Sequence, residues 1–214
     1  MKITIAGLGY VGTSIAVLLS TKYKVICYDI DQRKLNLINK KKSPIDDPEI
    51  KYYLKNKKLN LSTTTSSKTA FKNSNFVIIC TPTNYDPETN QFNTSSIEKV
   101  IKDVIKNNEC DSTIVIKSTV PVGYTKKIKK IFSYKKILFS PEFLREGSAL
   151  KDNLFPSRVI VGSKRSYAKK FGELLINTAQ LSREEIPLLF MHSNEAEAVK
   201  LFANSYLAMR ISFF

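Results

Sequence analysis

The sequence predicts an α/β fold, a doubly wound parallel sheet followed by the start of a long helix. Three observations carry this. Apolar, β-branched runs alternate with helical stretches along the chain. The first run, Lys2 to Ala6, leads directly into Gly7-Leu8-Gly9-Tyr10-Val11-Gly12. A second run, Val25 to Tyr28, closes on an acid, Asp29, 17 residues after Gly12.

A Gly-x-Gly-x-x-Gly has physical meaning between a strand and a helix, and that is its setting here. Gly7 permits a tight turn, Gly9 lets backbone approach a pyrophosphate, and Gly12 lets the helix pack close to the strand. The helix N-terminus offers free N–H groups and partial positive charge, to which Tyr10 and Val11 belong. Asp29 is placed to accept hydrogen bonds from ribose hydroxyls and to repel a 2′-phosphate, which reads as NAD rather than NADP. Arg33 and Lys34 pull the other way, because a basic side chain accommodates a 2′-phosphate. The pattern is that of a Rossmann-type dinucleotide domain.

The remaining elements follow in order. Strands are expected at 2–6 and 24–28, with helices over 11–21 and 31–39. Ser43 to Pro48 is a turn-rich connection, followed by a helix over 49–55 and a short strand near 59–62. Phe76 to Cys80 is a buried parallel strand that ends at Thr81-Pro82-Thr83, where proline takes the chain out of the sheet. A helix over 95–107 leads to a strand over 113–117, the turn Ser118 to Gly123, and a Lys-rich helix. Further strands are expected at 137–139 and 159–161, with a helix over 167–177, and Leu188-Leu189-Phe190 is the last short apolar segment. From Asn194 the pattern stays helical, and Asn194 with Glu197 gives a capping-box-like start. Ligands in such sheets bind outside the carboxyl ends of the strands. Gly7–Gly12, Thr81–Thr83, Ser118–Gly123 and Pro141–Gly147 are therefore expected to converge on one cleft.

Bulk properties narrow the function. The 214 residues carry 34 basic and 19 acidic side chains, a formal charge of +15. The lysines are spread along the chain and no nucleic-acid motif accompanies them, so nucleic acid is not an expected partner; the field favours anionic ligands such as dinucleotides and nucleotide sugars. Cys27, Cys80 and Cys110 show no ligand-like spacing to His192, and no metal site is expected. Cys27 and Cys80 read as small buried residues within strands, and the cysteine usage suits a reducing cytoplasm. The chain opens on a strand rather than a signal peptide, and no apolar run is long enough to span a membrane.

Seven segments carry a resemblance to a known family: Ala6 to Gly12, Ser43-Pro44-Ile45, Thr81-Pro82-Thr83-Asn84, Lys117 to Pro121, Ser140-Pro141-Glu142-Phe143-Leu144-Arg145-Glu146-Gly147, Asp152 to Arg158, and Glu195 to Asn204. Together they make the chain similar to the UDP-glucose/GDP-mannose dehydrogenases, most closely the branch that acts on UDP-glucose. The resemblance implies NAD-dependent oxidation of a C6 alcohol twice, giving the carboxylate of UDP-glucuronate for polysaccharide synthesis. It implies an NAD-binding domain over 1–190 and the start of a central dimerisation helix over 191–214, with a homodimer for the full-length enzyme. By motif, Val11, Asp29, Lys34, Thr83, Thr119 and Glu146 are implied NAD contacts. Glu142, Phe143, Leu144, Arg145 and Glu146 are implied to wrap the sugar. Lys200 and Asn204 are implied to bind the substrate and stabilise the oxygen at C6, and Glu146 with a water held by Thr119 to act in hydrolysing a covalent intermediate.

Spacing is compatible with these roles. Lys200 and Asn204, four apart, share one helix face, and an ammonium with an amide suits a developing oxyanion. Taken alone, Lys200 between Ala198, Leu201 and Phe202 reads more readily as a solvated helix lysine. Glu142 and Glu146 are also four apart; they read either as a base with its pKa raised in an apolar cleft or as an ordinary acid pair at a helix start. The resemblance puts the family's nucleophilic cysteine in a Gly-Gly-x-Cys-x-Pro-Lys-Asp segment beyond residue 214, a context that none of the three cysteines has. The expectation for the chain as given is NAD binding without completed oxidation. The alternatives are a dehydrogenase of UDP-N-acetylmannosamine or GDP-mannose and a non-catalytic NAD-binding module.

Overall fold

A computed structural model describes residues 1–88, 91–109 and 111–213; the reading of Cys110 lies outside them. The glycine turn joins β1 (Lys2–Ala6) to α1 (Tyr10–Ser20), and β2 (Lys24–Tyr28) follows. Asp31 caps α2 (Gln32–Asn39) by accepting the Arg33 N–H at 2.9 Å. Asp47, with Pro48 in the first turn, caps α3 (Pro48–Asn56), the combination that helix starts favour. Then come β3 (Leu61–Thr64), α4 (Ser67–Phe71), β4 (Phe76–Ile79) and a small hairpin of β5 (Tyr85–Asp86) and β6 (Gln91–Phe92). The second half runs α5 (Ser95–Asn107), β7 (Thr113–Ile116), α6 (Tyr124–Ile131), β8 (Ile137–Phe139), α7 (Ala149–Leu154), β9 (Val159–Val161), α8 (Ser166–Ile176), β10 (Leu188–Phe190) and α9 (Ser193–Phe213).

Six strands form one parallel sheet in the order β3-β2-β1-β4-β7-β8. The order reverses between β1 and β4, and the crevice at that switch point is where such sheets take ligands. The strands read as unbroken apolar runs because both faces are covered. Ile3, Ile5 and Ile78 pack on one side with Ile15 and Leu19 of α1 and Phe171 of α8. Ala6, Val77 and Ile79 pack on the other with Phe71, Ile97, Ile101 and Ile128. Thr4, fully buried, is satisfied by donating to the Ala70 carbonyl at 2.7 Å.

The structure departs from the sequence reading at four places. β9 and β10 pair with each other in a separate parallel ribbon, stitched to the end of β8 by Gly162 N–H to the Phe139 carbonyl (2.8 Å) and Ser140 Oγ to the Ile160 carbonyl (2.8 Å). The short helices α4 and α7 and the β5–β6 hairpin were not anticipated. Cys80 is half-buried just past β4 rather than within the strand. The start of α9 is closed by Glu195, which accepts the His192 N–H at 2.7 Å, not by Glu197. Glu197 is fully buried instead, and accepts from Gly123 N–H (2.6 Å), Thr125 N–H (2.8 Å) and Thr125 Oγ1 (2.5 Å). It thereby satisfies the orphan donors at the start of α6.

Asp47 is fully buried and serves two helices: Oδ1 accepts the Ile50 N–H (3.1 Å) and Oδ2 the Leu150 N–H of α7 (3.1 Å). Among the described residues no helix is long and apolar enough to cross a membrane.

Candidate functional site

At Gly7 the backbone turns through φ +94°, its N–H donating to the Tyr28 carbonyl at 2.9 Å. A Cβ on Gly12 would stand 1.8 Å from the Gly7 carbonyl oxygen, so only a hydrogen lets α1 rest on the turn. Gly9, at the helix N-cap, has nothing within 4 Å of where a Cβ would lie, and no side chain caps the helix. The turn is thus closed where it meets the protein and open where it faces solvent. It opens into a cleft of about 610 Å³ lined by Gly7 to Val11, Asp29, Lys34, Cys80, Thr81, Pro82, Ser96 and Glu146, among others. The volume lies within the range of cofactor sites, and uncapped helix N–H groups beside a bare glycine fit a pyrophosphate.

Asp29 holds the rim of this cleft. Its Oδ2 accepts the Leu8 N–H at 2.7 Å and its Oδ1 the Asp31 N–H at 2.9 Å, with Lys34 Nζ at 3.8 Å. Each carboxylate oxygen keeps a second lone pair for a ribose hydroxyl. Arg33 folds back on Asp31 and is largely exposed, so the basic groups in the lining are Lys34, beside Asp29, and Lys99.

The loops after β4 and β7 are tied together. Ser118 Oγ donates to the Thr81 carbonyl at 2.6 Å and Thr83 Oγ1 to the Thr119 carbonyl at 2.7 Å. Thr81 and Pro82 line the cleft, and these bonds hold Thr83 and the segment after β7 beside it.

The loop after β8 separates two spaces, and its two glutamates diverge. Glu146 is exposed and lines the cleft beside the glycine turn. Glu142 turns the other way, accepting the Leu144 N–H at 2.8 Å and lining a second cavity of about 330 Å³ with Lys117, Ser140, Phe143 and Arg158. They are neither a facing pair nor the start of a helix. Lys200 is 7% exposed and donates to Glu142 twice, to Oε1 at 2.6 Å and to the main-chain carbonyl at 2.9 Å. The solvated-lysine alternative is thereby excluded. Asn204, one turn on, is exposed. Phe143 is fixed by the Arg158 guanidinium stacked 4.0 Å from its ring centroid. Arg145 is committed to Asp152 through its backbone N–H (2.8 Å) and its guanidinium (2.7 Å). Burial pushes the Asp152 carboxyl up, but these bonds from Arg145 outweigh it and hold it below the usual range.

Cys80 and Cys27 have their thiols pushed up to about 12, first by burial. At neutral pH they are protonated and poor nucleophiles.

Residues 1–180 match the family described as the UDP-glucose/GDP-mannose dehydrogenase family, NAD binding domain. The chain belongs to that family. Among the curated relatives of this dehydrogenase family, UDP-glucose 6-dehydrogenases from Campylobacter jejuni and Streptococcus pneumoniae are each 48% identical over the whole of this chain. The chain spans about half the length of these relatives, 54% and 55%. Among solved structures, a ternary complex of GDP-mannose dehydrogenase from Pseudomonas aeruginosa superposes with a TM-score of 0.85 at 29% identity, covering 100% of this chain and 51% of that one. A UDP-glucose dehydrogenase from Pyrobaculum islandicum gives 0.85 at 26% identity, covering 99% and 51%. The glycine cradle described above lies within the matched NAD binding domain.

Two charged residues of this dehydrogenase fold escaped the sequence reading. Lys117, at the end of β7, is buried, and its ammonium pKa is lowered, first by that burial. The signal was a lysine closing an otherwise apolar run, Thr113-Ile114-Val115-Ile116. Glu197 gave a local capping signal that misled, because its actual partners lie 72 and 74 residues away.

Proposed function

We propose that this chain is the NAD-binding half of a UDP-glucose 6-dehydrogenase, with an NAD-binding domain over 1–190 and the start of a central helix over 191–214. The observation that carries the reading is the buried Lys200 ammonium, brought by α9 onto Glu142 at the end of β8. Only four residues further along that loop, Glu146 lines the dinucleotide cleft. The 48% identity to enzymes named for UDP-glucose favours that sugar over GDP-mannose.

In this reading Gly7, Gly9, Tyr10, Val11 and Gly12 seat the pyrophosphate, and Asp29 and Lys34 hold the adenosine ribose. Thr83 and Thr119 set the wall beside the nicotinamide end. NAD, when bound, takes up the hydride lost from C6. The protein's part is to hold the sugar in the loop from Glu142 to Glu146 and to stabilise negative charge on the C6 oxygen with the Lys200 ammonium and the Asn204 amide. Two proton donors of Lys200 are engaged by Glu142, so the third is available to the substrate oxygen. Glu146 and Thr119 position the water that enters for the second oxidation. The covalent step needs a nucleophile with an accessible thiolate, and the protonated thiols of Cys27 and Cys80 do not supply one. Pairing of two copies through the central helix belongs to the same proposal.

Calorimetric titration with NAD, then UDP-glucose, tests the reading, beside a chimera joining this chain to the C-terminal half of the Campylobacter relative. NAD binding by the chain and NADH formation by the chimera that is lost in Lys200→Met are expected. A chain that folds but binds no NAD, or a chimera whose turnover is indifferent to Lys200→Met, would overturn it.

A further inference from the structure

Lys117 is a charge the proposed chemistry does not use. It is 5% exposed, and its Nζ donates one hydrogen bond, of 3.3 Å, to the Ser140 carbonyl. An ammonium has three protons to place, and no second hydrogen bond is made to it among the described residues. The titratable groups facing it come from three elements: Cys80 after β4, Glu142 in the loop after β8, and Lys200 on α9. It also lines the cavity onto which Glu142, Arg158, Arg145 and Asp152 open, but Arg145 and Asp152 neutralise each other and Arg158 is stacked on Phe143. A cation this deep is costly without an opposite charge nearby. Glu142, which lines the same cavity, is the carboxylate that faces it.

Lys200 occupies that same carboxylate in the structure. When its third proton goes to a substrate oxygen, the ammonium is shared between that oxygen and Glu142, and its hold on the carboxylate weakens. The carboxylate would then be left poorly compensated in a largely buried place, and would be driven to take up a proton. A protonated Glu142 would release the Leu144 N–H that it now holds at 2.8 Å, and with it the shape of the sugar loop.

We propose that Lys117 is a positioning residue, a second ammonium that keeps Glu142 ionised and the loop in shape when Lys200 turns to the substrate. This rests on the reading of Lys200 as the substrate-binding ammonium. Its anchoring role through Ser140 supports it, because Ser140 is also fixed to β7 by its N–H on the Ile116 carbonyl (3.0 Å) and precedes Glu142 by two residues. Lys117 thus touches the root of the loop and acts on its carboxylate together.

The test is a carbon-13 NMR titration of the glutamate carboxyls in the whole chain, without nucleotide or sugar, with Glu142 assigned by Glu142→Gln. Lys200→Met is expected to raise the Glu142 midpoint by less than about one unit, and adding Lys117→Met to raise it by about one unit more or further. A smaller further rise on removing Lys117 would overturn the proposal. Should the double variant not fold, the amine of Lys117 is titrated by NMR in the otherwise unaltered chain and in Glu142→Gln. A lower Lys117 midpoint in Glu142→Gln supports the proposal, and an unchanged one overturns it. The titration contains no sugar, so failure of the sugar-binding reading shows elsewhere, as a chimera indifferent to Lys200→Met.

Discussion

Gly9 and Gly12 belong to one motif, yet adding a methyl group to each should do opposite things. In Gly12→Ala the new Cβ would lie 1.8 Å from the Gly7 carbonyl oxygen, 2.9 Å from its carbon and 3.2 Å from Cys80 Cβ. Relief requires α1 to move off the turn by on the order of 1 Å, and both partners are backbone or buried. The cost belongs at the upper end of overpacking, about 3 kcal/mol. For a chain of this size that lowers Tm by about 6–12 °C. In Gly9→Ala the Cβ meets nothing within 4 Å, so the folded state loses only what alanine costs at a helix N-cap, within about 1 kcal/mol. The methyl group does, however, occupy the face that a pyrophosphate must approach, and the Kd for NAD should rise about tenfold or more, at least about 1.4 kcal/mol. Thermal denaturation followed by circular dichroism, with calorimetric NAD titration below both transitions, separates the two. A Gly12→Ala chain that melts with the parent, or a Gly9→Ala chain that binds NAD with unchanged Kd, would refute the reasoning.

Asp29→Ala should leave the buried Leu8 N–H without its acceptor, costing about 2 kcal/mol and weakening NAD together with stability; an unchanged calorimetric Tm would count against it. Arg145→Met tests the depressed Asp152 carboxyl: a lowered folded pKa stabilises above the unfolded value near 4 and loses that contribution as pH falls through the folded one. The variant should therefore melt slightly below the parent at pH 7, by at most about 1 kcal/mol given the exposure of Arg145, and the gap should close as the pH drops below about 4. In a Cys110→Ser background, Cys27 and Cys80 should react with Ellman's reagent at pH 8 about a thousandfold more slowly than free cysteine, and at the free rate only after denaturation; fast labelling of the folded chain would contradict their raised pKa.

The sheet was legible because its signals are local. Val25 to Tyr28 and Phe76 to Ile79 are runs only a strand covered on both faces would carry, and the glycine turn announces itself by spacing. Asp29 was legible for the same reason, since a motif fixes its distance from Gly12. What the sequence hid depends on distant partners or on small size. A ribbon of three-residue strands, β9 and β10, gives no hint of whether it joins the main sheet, because pairing is decided by where Gly162 and Ser140 land. α7 is six residues long, too short for a periodic pattern to register. The burial of Lys200 follows from the contact with Glu142 across 58 residues, while its neighbours on α9 suggest a solvated face. The divergence of Glu142 and Glu146 was unreadable because four-residue spacing implies a shared face only in a helix, and this loop is not one.

The two-handed carboxylate of Asp47 has a consequence for the order in which the molecule is assembled. Its bond to Leu150 spans 103 residues, so the chain must close a long loop before that contact rewards it. During synthesis the N-terminal segment emerges first, and the cap of α3, local to residues 47–50, can form at once. The second oxygen then waits, already oriented by the cap, for α7 to arrive. The segment that follows the loop after β8 is therefore docked onto a surface made before it.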